Sequence, residues 1–110
     1  MIELVTLQQA KEHLRIDTDE DFDDADLTMK IQGGSAALLS YIQGSRDKVV
    51  TEAGKLIDGE PLLRMQTALL VLLGYLDRNR GAEEEEKLRQ GELPLAVTML
   101  IYDLRRTTIM

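Results

Sequence analysis

The sequence predicts an all-α fold. It is a small four-helix domain with a short first helix, long second and third helices and a C-terminal fourth. A long irregular loop or small hairpin separates the second and third. Three observations carry this reading. Apolar residues recur at three- and four-residue spacing in four segments. Caps and prolines punctuate the segment ends. The aromatics are few, Phe22, Tyr41, Tyr75 and Tyr102 with no Trp, so the core is built from Leu, Ile, Val, Met and Ala, which suits helix packing. The 110 residues fit one domain spanning 1–110. A chain of this size buries about two-thirds of the surface it exposes when unfolded, enough for one modest core.

The first helix starts at Thr6, where Thr is a good N-cap and Gln9 three residues on completes a capping box. Leu7, Ala10 and Leu14 then share a face, and the helix ends around Arg15-Ile16. Asp17 to Asp23 follows as a break, because closely spaced carboxylates repel and disfavour continuous helix. Asp23 or Asp24 caps the second helix, where negative charge at the N-terminus is favourable by ~0.3–1 kcal/mol.

The second helix runs from about Asp24 to Gln43, with Leu27, Ile31, Gly34, Leu38 and Ile42 forming its stripe. Gly33-Gly34 in its middle marks either a kink or the close approach of another backbone. Gly44 is the expected C-terminal cap. Between Gln43 and Glu60 the periodicity fails. Val49-Val50-Thr51 is β-prone and Leu56-Ile57 is its candidate partner, but Glu52-Ala53-Gly54-Lys55 makes a poor tight turn.

The third helix has Pro61 at its first position and extends to about Arg80, with Gly81 closing it. Leu62, Met65, Leu69, Leu72 and Leu76 line one face, and Leu63, Leu70 and Leu73 add a second. A helix apolar on two sides is central in its fold or is covered by a neighbouring subunit. Glu83 to Arg89 reads as a brief helical turn ended by Gly91. Pro94 opens the fourth helix, with Val97, Leu100, Ile101 and Leu104 at core spacing. Thr107 to Met110 is a short tail.

Chemistry is conspicuous by what the residues exclude. With no cysteine there is no disulfide, thiolate or Cys-based zinc site. The start lacks the basic and apolar regions of a signal peptide, and the longest apolar run, Ala68 to Leu73, is far short of the ~20 residues that cross a bilayer. The acidic run imitates the start of a calcium loop at Asp17, Asp19 and Asp21, but Phe22 stands where the turn needs Gly and Thr28 where it needs a bidentate Glu. His13, the single histidine, has no metal-binding partner at helical spacing and no nucleophile in a recognisable motif. Gly33-Gly34-Ser35 lacks the Gly-Lys-Ser/Thr of a phosphate loop, and Glu83 to Glu86 beside Lys87 and Arg89 reads as a solvated face. No enzyme, no metal and no cofactor is expected.

Charge is local. The net charge is −7, and Asp17, Asp19, Glu20, Asp21, Asp23, Asp24 and Asp26 account for all of it. Such a chain does not grip phosphates by counterion release, so simple nucleic-acid binding is disfavoured.

The layout resembles the small head–tail connector (adaptor) proteins of long-tailed bacteriophages. Thr6-Leu7, Ala10-Lys11 and His13-Leu14-Arg15-Ile16-Asp17 look like that family's opening, continued by the acidic break and the Leu27…Ile31 helix. Pro61, Ala68, Leu69, Leu72, Tyr75, Asn79 and Arg80 look like its long third helix, and Leu93-Pro94 with Leu100 and Arg105 like its last. The insert from Gln43 to Glu60 lies outside the resemblance, and Gly33-Gly34 replaces the small helix formers usual there.

The resemblance implies a structural virion protein, assembled in the host cytoplasm, that forms a ring of about twelve subunits at the head–tail junction. The ring sits between the portal and the stopper or tail-completion proteins and extends a channel through which DNA passes without specific binding. On this reading Leu63, Leu70, Tyr75, Arg78 and Arg80 are candidate subunit-interface residues, and Tyr102, Arg105 and Arg106 candidate portal contacts. The loop from Arg46 to Asp58 is a third candidate contact, and Asp19, Asp21 and Asp23 are candidates for an acidic channel surface. The alternative is a small acidic regulator that masks a basic protein surface or mimics DNA, resting on the Asp17–Asp26 cluster.

Overall fold

The computed structural model describes residues 2–16, 19, 21, 24–78 and 93–105. The described residues form four α-helices: α1 (Leu7–Leu14), α2 (Asp24–Ile42), α3 (Glu60–Arg78) and α4 (Leu95–Ile101). Short 3-10 turns at Arg46–Lys48 and Tyr102–Leu104 follow α2 and α4. The all-α four-helix expectation holds. The turn expected over Glu83 to Arg89 lies outside the described residues.

Helix α1 is fixed by its cap. Thr6 Oγ1 accepts from the Gln9 backbone N–H at 3.1 Å, and Gln9 Oε1 accepts from the Thr6 N–H at 2.8 Å. This is the reciprocal box that the Thr6–Gln9 spacing foretells. At the other end Arg15 takes a left-handed φ of 61°, and the Ile16 N–H donates to Lys11 O at 2.8 Å. An eight-residue helix is marginal alone, and an ion pair made by a buried lysine ties it down: Lys11 Nζ lies 2.6 Å from the half-exposed Asp24 at the start of α2.

The segment before α1 is bolted to the longer helices through Leu4, which is fully buried. Its N–H donates to Ser35 Oγ of α2 at 3.0 Å, and its carbonyl accepts from Gln66 Nε2 of α3 at 2.9 Å. Gln32 adds a 3.0 Å bond to Glu3. A backbone strand entering a core must have its polar groups met, and here both helices meet them.

Helix α2 runs unbroken, and all five residues of its expected stripe are buried. The two glycines separate cleanly. A Cβ on Gly33 would meet nothing within 4 Å, whereas one on Gly34 would stand 2.7 Å from Leu69 Cδ1 and 3.3 Å from Leu72 Cδ2. Gly34 is thus where α3 crosses α2 closely. The expected cap at Gly44 is corrected: Gln43 takes the left-handed conformation, with φ 49°. The Ser45 N–H then returns to Ile42 O at 3.1 Å, closing the helix one residue earlier than expected.

The insert does contain a small hairpin. Val50 bridges Leu56 in antiparallel fashion, with the Ile57 N–H on Val49 O and the Thr51 N–H on Lys55 O, both at 2.8 Å. The Glu52–Lys55 turn is made workable by Gly54, whose φ of 83° suits Gly and whose N–H donates to Thr51 O at 2.9 Å. Val49 and Val50 anchor the hairpin in the core.

Helix α3 is the shared wall of the fold, packing against α1, α2 and α4. It starts at Glu60, one residue before the expected Pro61. Gly59 precedes it, and its carbonyl accepts the Leu63 N–H at 3.1 Å. The expected inner face, Leu62, Met65, Leu69, Leu72 and Leu76, is buried throughout. The second face divides: Leu73 joins the core, Leu70 is half-buried, and Leu63 stays exposed. In α4, Val97 and Ile101 are buried, but Leu100 is a rim residue rather than a core one; Leu104, expected on the same helix, lies in the 3-10 turn after it and packs on the core edge.

Candidate interaction surfaces

An uncovered apolar surface is built by α3 and α4. Helix α4 carries no charged residue from Leu93 to Tyr102, so two of its faces are apolar. Val97 and Ile101 turn inward onto α3, which leaves Leu95, Met99 and Tyr102 outward at 74%, 72% and 67% exposure. Leu63 of α3 is 63% exposed beside them. Between the two helices lies an open groove of about 810 Å³, lined by Glu60, Leu63, Arg64, Thr67, Met99 and Leu100. Arg64 borders it, 3.6 Å from both Glu60 and Asp103. These separations are longer than a hydrogen bond, so the ion pairs are loose and solvated.

The candidate subunit-interface residues are spread along α3. Leu63, Leu70 and Arg78 share one side of the helix, and Tyr75 lies about 120° round from Leu63. Fifteen residues separate Leu63 from Arg78, about 22 Å of helix. Leu63 belongs to the groove, while Leu70 and Tyr75 are half-buried against the core. Arg78 is exposed, and its guanidinium folds back over Gly74, where His13 Nε2 of α1 also arrives. A Cβ on Gly74 would lie 3.7 Å from Arg78 Nη1 and 3.9 Å from His13 Nε2, so this glycine leaves a shallow seat for both. Arg80 lies outside the described residues.

Of the candidate portal contacts, Tyr102 is exposed, and the Arg105 guanidinium lies 5.0 Å from the Tyr41 ring centroid at the end of α2. That stacking is a cation–π contact and holds the C-terminal segment against α2. Arg106 lies outside the described residues. Of the acidic candidates, Asp19 and Asp21 are exposed, and Asp23 lies outside the described residues. Within the 46–58 loop, Arg46, Asp47, Lys48, Glu52 and Lys55 are all exposed, a mixed-charge surface.

Two features of these surfaces escape sequence inspection. The exposed Leu95–Met99–Tyr102 face is one. Its signal was present, since those residues step by four and three in a charge-free helix, but the inward face shares the same apolar alphabet. The buried Lys11 is the other. Nothing local distinguishes it from a solvated lysine, because its partner Asp24 lies across the acidic break. Among the described residues no group of three or more His, Asp or Glu is placed to hold a metal, and no helix is long and apolar enough to cross a membrane.

Neither curated proteins nor solved structures gave a match to the chain. A family model described as phage gp6-like head-tail connector protein matches residues 4–105. That span takes in all four helices, the hairpin insert and the exposed α4 face. The chain therefore belongs to the phage gp6-like head-tail connector family.

Proposed function

We propose that this chain is a structural virion protein that assembles as a ring between the portal and the tail or stopper proteins, lengthening the DNA channel. The observation that carries the proposal is the bare apolar surface of α4 and the α3–α4 groove. A lone soluble domain seldom leaves side chains such as Leu63, Leu95 and Met99 together in water. A subunit of a closed ring has a neighbour to cover them. Family membership supports the site of action, at the head–tail junction. The role is that of a scaffold, with no catalytic step.

In this reading Leu63, Leu70, Tyr75, Arg78 and Arg80 serve contacts between subunits. Tyr102, Arg105 and Arg106 at the C-terminal end dock on the portal, with Arg105 pre-positioned by Tyr41. The acidic segment with Asp19, Asp21 and Asp23 faces the channel, where like charge keeps DNA from adhering during passage.

Mixing the purified chain with the portal ring and imaging the complex tests the proposal. An added ring of density on the portal, lost with the Tyr102→Ala/Arg105→Ala double variant, supports it. A portal that stays bare at all concentrations overturns it. The channel assignment is tested by DNA release from particles carrying Asp→Asn changes at Asp19, Asp21 and Asp23. Unchanged release and unchanged retention would sink that part alone.

A further inference from the structure

The apolar α4 face needs a partner, and α2 of a second copy has the matching surface. Ala25, Met29, Gly33, Ala36 and Ser40 step by three or four along α2, and all five are exposed. Intramolecular packing gives Gly33 no purpose: a Cβ there meets open space, yet glycine inside a helix costs ~0.5–1 kcal/mol relative to Ala. A glycine in that setting lets a second backbone come close.

Shape, charge and position agree. Large side chains project from α4, and the exposed α2 face is small-sided at Gly33, Ala36 and Ser40, with Met29 standing out one turn before Gly33. The exposed positions of α2 from Met29 to Ser40 are uncharged and so is α4 from Leu95 to Tyr102, which leaves Glu60 and Arg64 of the groove as the charges nearest the contact. Burying an unpaired charge would be costly, so this matters for any tight contact. Each rim carries charges of both signs, paired within the subunit and mostly exposed, so they can exchange partners across a contact. Asp26 and Lys30, 2.9 Å apart, edge the α2 face, while Arg64, Glu60 and Asp103 edge the groove. Arg64 of one copy can meet Asp26 of the next, and Lys30 can meet Glu60 or Asp103. Finally, α2 and α4 both pack on α3 through their inner faces, so their outer faces point away from the shared helix. Two different faces on one subunit are what a head-to-tail contact requires.

We propose that the α4 face and α3–α4 groove of one copy seat on the outer face of α2, around Gly33, of the next. This rests on the ring reading above and assigns its two contacting faces. The absence of cysteine from the chain makes the test direct. Gly33→Cys/Met99→Cys places one thiol on each face, both at positions that face solvent in the subunit.

On oxidation across a concentration series, the double variant is expected to give a ladder of dimer, trimer and higher species under denaturing conditions. Each single variant is expected to remain a monomer there. Dimers from Met99→Cys alone, as abundant as those of the double variant, would show groove meeting groove and overturn the inference. A ring seen by native mass with no ladder would also overturn it while leaving the ring reading intact. A chain that stays monomeric at every concentration overturns it too, and portal docking is then judged by its own assay.

A check independent of oxidation uses Gly33→Arg and Met99→Arg. Each is expected to block assembly alone, while their equal mixture forms a one-to-one heterodimer, because each supplies the face the other lacks. Full assembly by either single variant counts against the pairing.

Discussion

Gly33 and Gly34 are adjacent in one helix, yet alanine at the two positions is expected to act in opposite directions. In each case the substitution removes backbone freedom from the unfolded chain and improves helix propensity, a gain of ~0.5–1 kcal/mol. In the isolated subunit that is the whole effect at Gly33, because the new methyl meets nothing within 4 Å. At Gly34 the methyl stands 2.7 Å from Leu69 Cδ1, about 1 Å inside the ordinary carbon–carbon contact distance. Leu69 and Leu72 are both essentially fully buried, so neither can swing out to make room. Overpacking of this kind costs ~1–3 kcal/mol. The net expectation is a stabilised Gly33→Ala and a Gly34→Ala less stable than the parent by about 1 kcal/mol. The propensity gain cancels in the comparison, so the two variants differ by the packing cost alone, ~1–3 kcal/mol. With no Trp in the chain, far-ultraviolet circular dichroism is the natural probe. Denaturant titrations at a concentration low enough to keep both variants monomeric remove any contribution from self-association. Thermal midpoints should separate by roughly 4–12 °C for a domain of this size. A Gly34→Ala variant as stable as Gly33→Ala would refute the close α2–α3 crossing.

Three further outcomes are expected. Ser35→Ala strands the buried Leu4 N–H and should lower stability by ~1–3 kcal/mol in the same titration, with Ser35→Thr milder if its hydroxyl keeps the bond. Lys11→Ala leaves Asp24 without its 2.6 Å partner and exposes the α1–α2 joint. A loss of ~1–2 kcal/mol is expected, less than for a fully buried pair because Asp24 is partly solvated. Thr6→Ala removes the α1 cap and should cost ~1 kcal/mol, with amide exchange faster in residues 7–14 than in α3.

What sequence reasoning could reach follows the range of the interactions. The Thr6–Gln9 box, the α2 stripe and the inner face of α3 are set by neighbours within one helix turn or two, and they were legible. The hairpin was legible only as a candidate pairing of Val49–Thr51 with Leu56–Ile57, because the turn closing it depends on Gly54 adopting positive φ, which composition alone does not reveal. The α2 cap moved from Gly44 to Gln43 because the chain must turn early for Ser45 to reach Ile42 O. Contacts across the fold were not legible. The bonds from Leu4 to Ser35 and Gln66 span 31 and 62 residues, and no local pattern announces them. For the surfaces, the double-sided character of α3 pointed to a neighbour, but the side most open to one proved to be its N-terminal end with α4. Both faces of α4 carry apolar residues, and only the tertiary contacts decide which of them is left in water.

The central claim is that the exposed α4 and α2 faces exist to be covered by further copies of this chain. Native mass spectrometry across a concentration series, alone and on the portal, tests it most directly. The account predicts one discrete species of about twelve or thirteen copies, with few intermediates, as expected for a closed ring of head-to-tail contacts. A strict monomer that neither self-associates nor occupies the portal, yet binds a basic partner in a salt-sensitive way, would contradict it and favour the acidic-regulator reading.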